Sequence, residues 1–373
     1  MPLVARRLST SGLVRRLLVG LAFLAGGLVG PGEARALPRY AAAYGQDCNL
    51  CHHDPTGGGL RSAYATQYLV PAELVWRSDP ESAAESISPS IGDHLTVGAD
   101  LRLLTTGSDD DADPSRFLTM QSDVHVVLQM DERTSVAVDV GNGRRSEAWG
   151  LARVLPWQGW LKAGRFVPAY GWRFADHQIF TRRHLLATEG EPSPVAWEDS
   201  GLELGVSPGS LQLSASLQAG GGEVGESWAV RAVERQSFGS VDVALGGSAL
   251  RRQQRAGDRT AVGAFGAVNL GPATWLGQLD AVRAADDRDE WIVSQQLAWT
   301  VHQGWTVLLQ HDFHDPDRDL ESGTRQRWGV GFDALFTPFV GIQALARFED
   351  PDSGPAVDED DRVRGDMVLH FLF

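Results

Sequence analysis

Residues 324–348 read TRQRWGVGFDALFTPFVGIQALARF, and residues 361–373 read DRVRGDMVLHFLF. In the first stretch Trp328, Val330, Phe332, Ala334 and Phe336 share one face; Arg325, Arg327, Gly329, Gly331 and Asp333 share the other. After Thr337-Pro338 the pattern resumes, with Val340, Ile342, Ala344, Ala346 and Phe348 set against Gly341, Gln343, Arg347 and Glu349. In the second stretch Val363, Met367, Leu369, Phe371 and Phe373 face away from Arg362, Arg364, Asp366 and His370. Neighbouring residues of an extended chain point to opposite faces, so a period of two marks a strand with one apolar and one polar side.

Worked outward, the same period predicts about sixteen strands from Ile91 to Phe373. They fall near 93–105, 116–129, 134–142, 146–154, 158–166, 198–206, 209–219, 226–235, 238–250, 258–269, 272–283, 289–301, 304–314, 324–336, 338–348 and 361–373. A soluble sandwich alternates too. The connections separate the two cases. One set is tight: Asp131 to Arg133, Pro156-Trp157, Pro208, Gly271, His302-Gln303 and Thr337-Pro338. The other set is longer and often acidic: Ser108 to Pro114, Val167 to Trp197, Ala284 to Arg288, Asp315 to Gly323 and Glu349 to Asp361. Tight turns on one side and long loops on the other are the pattern of an outer-membrane barrel. Lipid offers no hydrogen bonds to a sheet edge, so such a sheet must close. An even strand count puts both termini on the short-turn, periplasmic side, and Phe373 closing an alternating strand matches the terminal signal of such barrels. Trp291, Trp299, Trp305 and Trp328 near strand ends suit interfacial girdles.

Composition agrees. The chain has 373 residues with 42 Gly and 12 Trp, rich in turn and strand formers. The net charge of -15 excludes a basic nucleic-acid-binding face. Two cysteines are too few for a disulfide scaffold.

The N-terminus reads as an export signal. Arg6, Arg7, Arg15 and Arg16 precede an apolar run from Leu17 to Val29, and Ala34-Arg35-Ala36 supplies a small-x-small cleavage pattern. The expected layout is a signal peptide at 1–36, a small segment and linker at 37–92, and a barrel at 93–373.

Both cysteines sit in Cys48-Asn49-Leu50-Cys51-His52, the C-x-x-C-H attachment signature of c-type haem. Two thiols three positions apart reach the two vinyl groups of one porphyrin edge, and His52 offers an imidazole nitrogen to the iron. A redox disulfide would need a βαβ setting, and a zinc site a second cysteine pair; neither is present in the sequence. The expected cofactor is one covalent haem c held by Cys48, Cys51 and His52. His53 cannot easily reach the opposite face of the same ring. For the second axial position His94, His177 and His184 stand beside an open or water-filled site. Arg61 to Leu69 suggests a short helix with Tyr64 and Tyr68 on one face, and Pro71 onward reads as linker. So small a segment buries too little to hold haem alone. The expectation is that it tucks into the barrel and that the wall completes the pocket. The connection from Gly164 to His184 carries Arg165, Arg173, Arg182 and Arg183 and is expected on the outer side, either folded into the pore as an anion-favouring constriction or as a surface loop with paired charges.

This order resembles the fused cytochrome–porin family of bacterial outer membranes, which includes iron-oxidising members. The likeness in sequence is carried by Leu37-Pro38-Arg39-Tyr40 leading to Cys48-Asn49-Leu50-Cys51-His52. The glycine run from Thr56 to Gly59 departs from the iron-oxidising branch. The resemblance implies an all-β transmembrane antiparallel barrel behind a small, mainly helical or irregular haem segment. It implies electron transfer between periplasmic carriers and an extracellular redox partner such as iron, in contact with outer-membrane lipid and without nucleic acid. The alternatives are a solute-selective porin whose haem segment acts as plug, gate or redox sensor, and a haem enzyme with an open iron position.

Overall fold

The alternating stretches form one antiparallel sheet that closes on itself. The computed structural model describes residues 38–43, 45–76, 87–108, 115–141, 146–174, 176–186, 198–219, 226–254, 257–320, 323–351 and 362–373. The expected signal peptide, Ser78-Asp79-Pro80 and the acidic runs 109–111 and 358–361 lie outside the described residues.

A two-residue strand, β1 (Ser90–Ile91), precedes β2 (Leu95–Ser108), β3 (Arg116–Gln129), β4 (Thr134–Gly141), β5 (Ser146–Leu155), β6 (Gly159–Phe166), β7 (Asp199–Val206) and β8 (Leu211–Ala219). There follow β9 (Glu226–Phe238), β10 (Val241–Gln254), β11 (Gly257–Leu270), β12 (Ala273–Arg283), β13 (Asp289–His302), β14 (Trp305–Asp315), β15 (Arg325–Thr337), β16 (Val340–Pro351) and β17 (Arg362–Leu372). Each strand from β2 pairs with the next, and β17 returns to β2 from Arg364↔Ser108 to Leu372↔Asp100. Ala99 and Phe373 exchange backbone hydrogen bonds of 3.0 and 2.9 Å beyond that seam. The barrel therefore has sixteen strands, β2 to β17. The extra strand β1 pairs Ser90 with Thr96 within a stretch expected to be linker.

The period of two sorts residues as expected. On β8, Gln212, Ser214, Ser216 and Gln218 are buried while Leu213 and Leu217 are exposed. On β12, Thr274, Gln278 and Asp280 are buried while Trp275 and Leu279 are exposed. The apolar side faces out and the polar side faces in, the reverse of a soluble barrel.

Two segments meet this polar wall. The first contains α1 (Pro38–Ala43), a 3₁₀ turn at Cys48–Leu50 and a wide, π-type helix at Ala65–Leu74. That last helix corrects the expected Arg61–Leu69: it starts later and runs through Pro71. Burial decides the outcome, because Ala65, Leu69, Val70 and Leu74 pack on Cys51 in one apolar cluster, and packing overrides local propensity. Tyr64 and Tyr68 do share a face, with ring centroids 6.4 Å apart. Trp76 N–H donates to Leu335 O at 2.8 Å, and Gln303 Nε2 donates to Ala72 O at 3.0 Å, so this helix ends at the short-turn rim.

The second segment is the connection after β6, described over 167–186 apart from 175. Tyr170 Oη donates to Asp280 Oδ1 at 2.7 Å, and Trp172 N–H donates to Gln278 Oε1 at 2.8 Å. Further on, Phe180 N–H donates to Asp312 Oδ1 at 3.1 Å, and Asp176 pairs with Arg347. The connection thus leaves β6 and lies against the inner faces of β12, β14 and β16, as an inserted loop does.

Candidate functional site

The haem-type motif begins at Asp47, whose backbone is extended, and tightens at once into the 3₁₀ turn. Cys51 N–H and His52 N–H both donate to Cys48 O, at 3.1 and 3.0 Å. The chain then doubles back. His52 faces Arg61 in an antiparallel bridge, and His53 N–H donates to Leu60 O at 3.2 Å. Ser62 closes the unit, its N–H donating to Cys51 O at 2.8 Å and its hydroxyl to Leu50 O at 2.7 Å.

The return depends on Gly57, Gly58 and Gly59, with φ of 91°, 89° and 60°, where a side chain is strained. Each also lies against a different surface. A Cβ on Gly57 would stand 3.2 Å from Cys48 Sγ, on Gly58 2.7 Å from Arg173 Nη1, and on Gly59 3.0 Å from Asp139 Oδ2. One turn therefore touches its own thiol, the inserted loop and the barrel wall.

Asp54 anchors this turn. Its Oδ1 accepts from Thr56 N–H at 2.9 Å and Thr56 Oγ1 at 2.8 Å. Its Oδ2 lies 3.1 Å from Lys162 Nζ, which in turn lies 2.8 Å from Glu203 Oε1. Lys162 is the chain's one lysine and is fully buried. Burial opposes a charged Asp54, yet Lys162 and Arg173 hold its carboxyl below the usual range. Arg173 also donates to Gly57 O and, at 2.7 Å, to Val167 O. Elsewhere Asp47 pairs with Arg235 and Arg39 with Asp333. The segment is thus tied to β6, β9 and β15, on widely separated parts of the wall.

Between this segment and the inserted loop lies a cavity of about 270 Å3. Cys48, Cys51 and His52 all line it. Tyr40, Leu50, Trp172, Phe174 and Leu372 add apolar surface, and Asp100, Arg102, Asp123, His125, Arg231 and His370 are contributed by the barrel. The cavity's lining residues on β2 and β3 lie along the middle of those strands, while Leu372 and Phe373 come from the end of β17, and Gly141 and Glu147 from the adjoining ends of β4 and β5. Burial, with Arg61 nearby, pushes the His52 imidazole down to about 4, which keeps the ring neutral as metal ligation needs. Burial pushes the Cys51 thiol up to about 11.

The residues fit a covalently held haem. Two free thiols and a neutral imidazole share one luminal cavity with aromatic and aliphatic walls for the macrocycle. His52 Nδ1 is buried without a hydrogen-bond partner. Arg61 lines the same cavity, facing the charge of Asp100.

Other expected residues lie elsewhere. His94 is exposed, with Nδ1 2.9 Å from Gln129 O near a short turn. His184 stacks on His314 with ring centroids 4.2 Å apart, and His177 is buried in the inserted loop. None of the three lines the cavity among the described residues. Of the loop arginines, Arg173 and Arg182 line it, whereas Arg165 pairs with Glu198 on the outer side of β6 and Arg183 is exposed. Sequence reasoning missed His125, Asp139, Asp123 and Lys162. The alternation itself marks Gln121, Asp123 and His125 as inward-facing, since they recur at every second position of β3.

No family model matches the chain, and no curated protein matches it. Solved structures share its fold. An anion-selective porin from Comamonas acidovorans superposes with a TM-score of 0.54 at 13% identity, over 75% of this chain and 99% of that one. OmpT of Vibrio cholerae gives 0.57 at 11% identity, over 77% and 100%. OprB of Pseudomonas putida gives 0.58 at 9% identity, over 75% and 94%. At these identities the likeness is one of architecture, and the architecture is that of a porin-type barrel.

Proposed function

We propose that this chain is a bacterial outer-membrane barrel that carries one covalent haem c in its lumen and passes electrons between periplasmic carriers and an extracellular donor or acceptor, iron being the one the family resemblance suggests. The observation that carries this reading is the convergence of Cys48, Cys51 and His52 on one cavity that the inner barrel wall, including β2 and β3, helps to line. A haem bound there supplies one-electron redox chemistry. Cys48 and Cys51 would hold it through their thiols and His52 would ligate its iron, while Lys162 with Asp54 fixes the turn that carries them.

Depth matters to this function. The apolar band of such barrels is about 25 Å tall. A site at one rim leaves most of that span to cross, whereas a mid-lumen site shares it between two sides. The ties from Asp47, Asp54 and Arg39 to well-separated strands place protein across the lumen, and the inserted loop meets it from the other end. A segment so placed would narrow the path for free solutes, which supports an electron path. Both termini then sit on the short-turn, periplasmic side, a reading supported by the segment's tie to Gln303 and by the approach of Gly45 to Ser237 and Asp242.

A second reading, a solute-selective porin with the haem segment as plug or sensor, is supported by the porin-type neighbours and by the inserted loop. A haem-stained gel and visible spectrum of the membrane-extracted protein, with Cys48→Ala as control, test the first part of the proposal. Reduction of the haem by an external donor in sealed liposomes then separates the two readings. Solute flux without such reduction selects the porin.

A further inference from the structure

We propose that His125 supplies the second axial nitrogen to the iron, opposite His52; this rests on the haem reading above. Three of the ten histidines line the cavity: His52, His125 and His370. His52 belongs to the attachment motif, which leaves two rings contributed by the barrel wall.

The two differ in which nitrogen is engaged. His125 stands inward on β3, 6% exposed, and its register partner on β4 is Asp139. His125 Nδ1 lies 2.9 Å from Asp139 Oδ1. The contact is one of ion-pair distance, with Nδ1 outside hydrogen-bonding geometry; it sets Nδ1 on the carboxylate side of the ring and leaves Nε2 at the far tip, where a metal is reached without steric hindrance from the backbone. A carboxylate set against the ring's other nitrogen is the usual support of a ligating histidine. His370 is arranged the other way. Its Nε2 lies 2.9 Å from Asp100 Oδ1, so the tip is occupied and only the backbone-side nitrogen remains. Asp100 is held in addition by Arg102 at 3.0 Å, which fixes that arrangement.

Position agrees with chemistry. Asp139 Oδ2 lies beside Gly59, in the turn that returns from His52, so the Asp139–His125 pair abuts the haem segment itself. The other ligand types are accounted for. Met120, Met130 and Met367 do not line the cavity among the described residues. The Tyr170 hydroxyl is committed to Asp280 and Lys162 to Asp54 and Glu203.

The test is spectroscopic. The full chain is produced in cells competent to mature c-type cytochromes, extracted in detergent, and read by haem staining, visible absorption and electron paramagnetic resonance. Wild type is expected to be low-spin with two nitrogen ligands. His125→Ala is expected to keep its stained band yet lose the low-spin ferric signal, and added imidazole is expected to restore it. His370→Ala is expected to stay low-spin. If His125→Ala does not insert, His125→Met serves instead, and a sulfur-to-iron charge-transfer band is expected. A high-spin wild type, a low-spin His125→Ala, or a high-spin His370→Ala overturns the assignment while leaving the haem reading intact. An unstained wild-type band overturns the haem reading itself, and this inference with it.

Discussion

Lys162 Nζ lies 3.1 Å from Asp54 Oδ2, joining the middle of β6 to the residue two places beyond His52. The same ammonium lies 2.8 Å from Glu203 Oε1 on β7, and that carboxylate also accepts from Trp160 Nε1 at 3.1 Å. The cation thus compensates two buried acids. Replacing it by Met leaves Glu203 uncompensated and Asp54 with only Arg173, 4.0 Å away, and breaking a buried pair from one side costs about 3–5 kcal/mol. Lys162→Met is expected to lower the unfolding midpoint of the extracted barrel and to expose the haem segment to protease. Restoring neutrality with Asp54→Asn and Glu203→Gln in the same chain should recover much of the loss. An unchanged midpoint in the single variant would show that the segment is anchored elsewhere.

Gly57 tests the tight turn in a different way. Its φ of 91° strains any side chain, and a Cβ there would stand 3.2 Å from Cys48 Sγ. Strain of this kind amounts to about 1–3 kcal/mol. The added methyl also crowds the thiol that must reach the porphyrin edge. Gly57→Ala is therefore expected to reduce the haem-to-protein ratio of the purified chain while leaving the barrel inserted. Equal haem loading would indicate that the turn tolerates a side chain and plays no part in presenting Cys48.

Most of the barrel was legible because its physics is local. A period of two needs only neighbouring residues, and stretches such as 116–129 and 289–301 match β3 and β13 closely. The motif was legible for the same reason, since Cys48, Cys51 and His52 lie within one turn. What could not be read is what the closed sheet brings together. His125 and Asp139 are fourteen positions apart and meet only because β3 and β4 pair in one register. Lys162 reaches Asp54 across 108 positions. Its isolation among arginines looks like compositional bias until the fold places it. The helix over Ala65–Leu74 was misjudged at Pro71 because the apolar cluster holding it includes Cys51 and Leu335, neither of which is near in sequence.

Asp176 gives the inserted loop a pH dependence. It pairs with Arg347, with Arg327 nearby, and accepts from Gln178 N–H at 2.8 Å. Burial opposes its charge, but the two arginines dominate and hold the carboxyl below the usual range. A carboxyl whose folded value is depressed adds stability that is complete above its unfolded value, about 3.9, and that fades as pH falls through the folded one. Acid is therefore expected to release the loop from β16 below about pH 4, read as protease access within 167–186. Asp176→Asn should release it at neutral pH and flatten the acid response. A loop equally protected in both proteins at all pH values would contradict this linkage.

Trp172 is the loop's apolar fastener and the residue that separates conduit from porin. It is 3% exposed, packs edge-on against Phe265 with ring centroids 5.0 Å apart, and donates from Nε1 to Gly266 O at 3.0 Å. The guanidinium of Arg231, which donates to Gly171 O at 3.0 Å, lies 5.9 Å from its ring centroid. Truncating a buried Trp costs about 3–5 kcal/mol, and most of that falls on the loop because β11 and β12 keep their own ladder. Trp172→Ala is expected to loosen the loop without unfolding the sheet. If the loop narrows an otherwise passable lumen, sugar flux in a liposome-swelling assay rises several-fold. If the haem segment already obstructs the lumen, flux stays low in this variant and rises only when the Lys162–Asp54 anchor is broken as well. The second result is the one expected, because the ties at Asp54, Asp47 and Arg39 do not pass through Trp172.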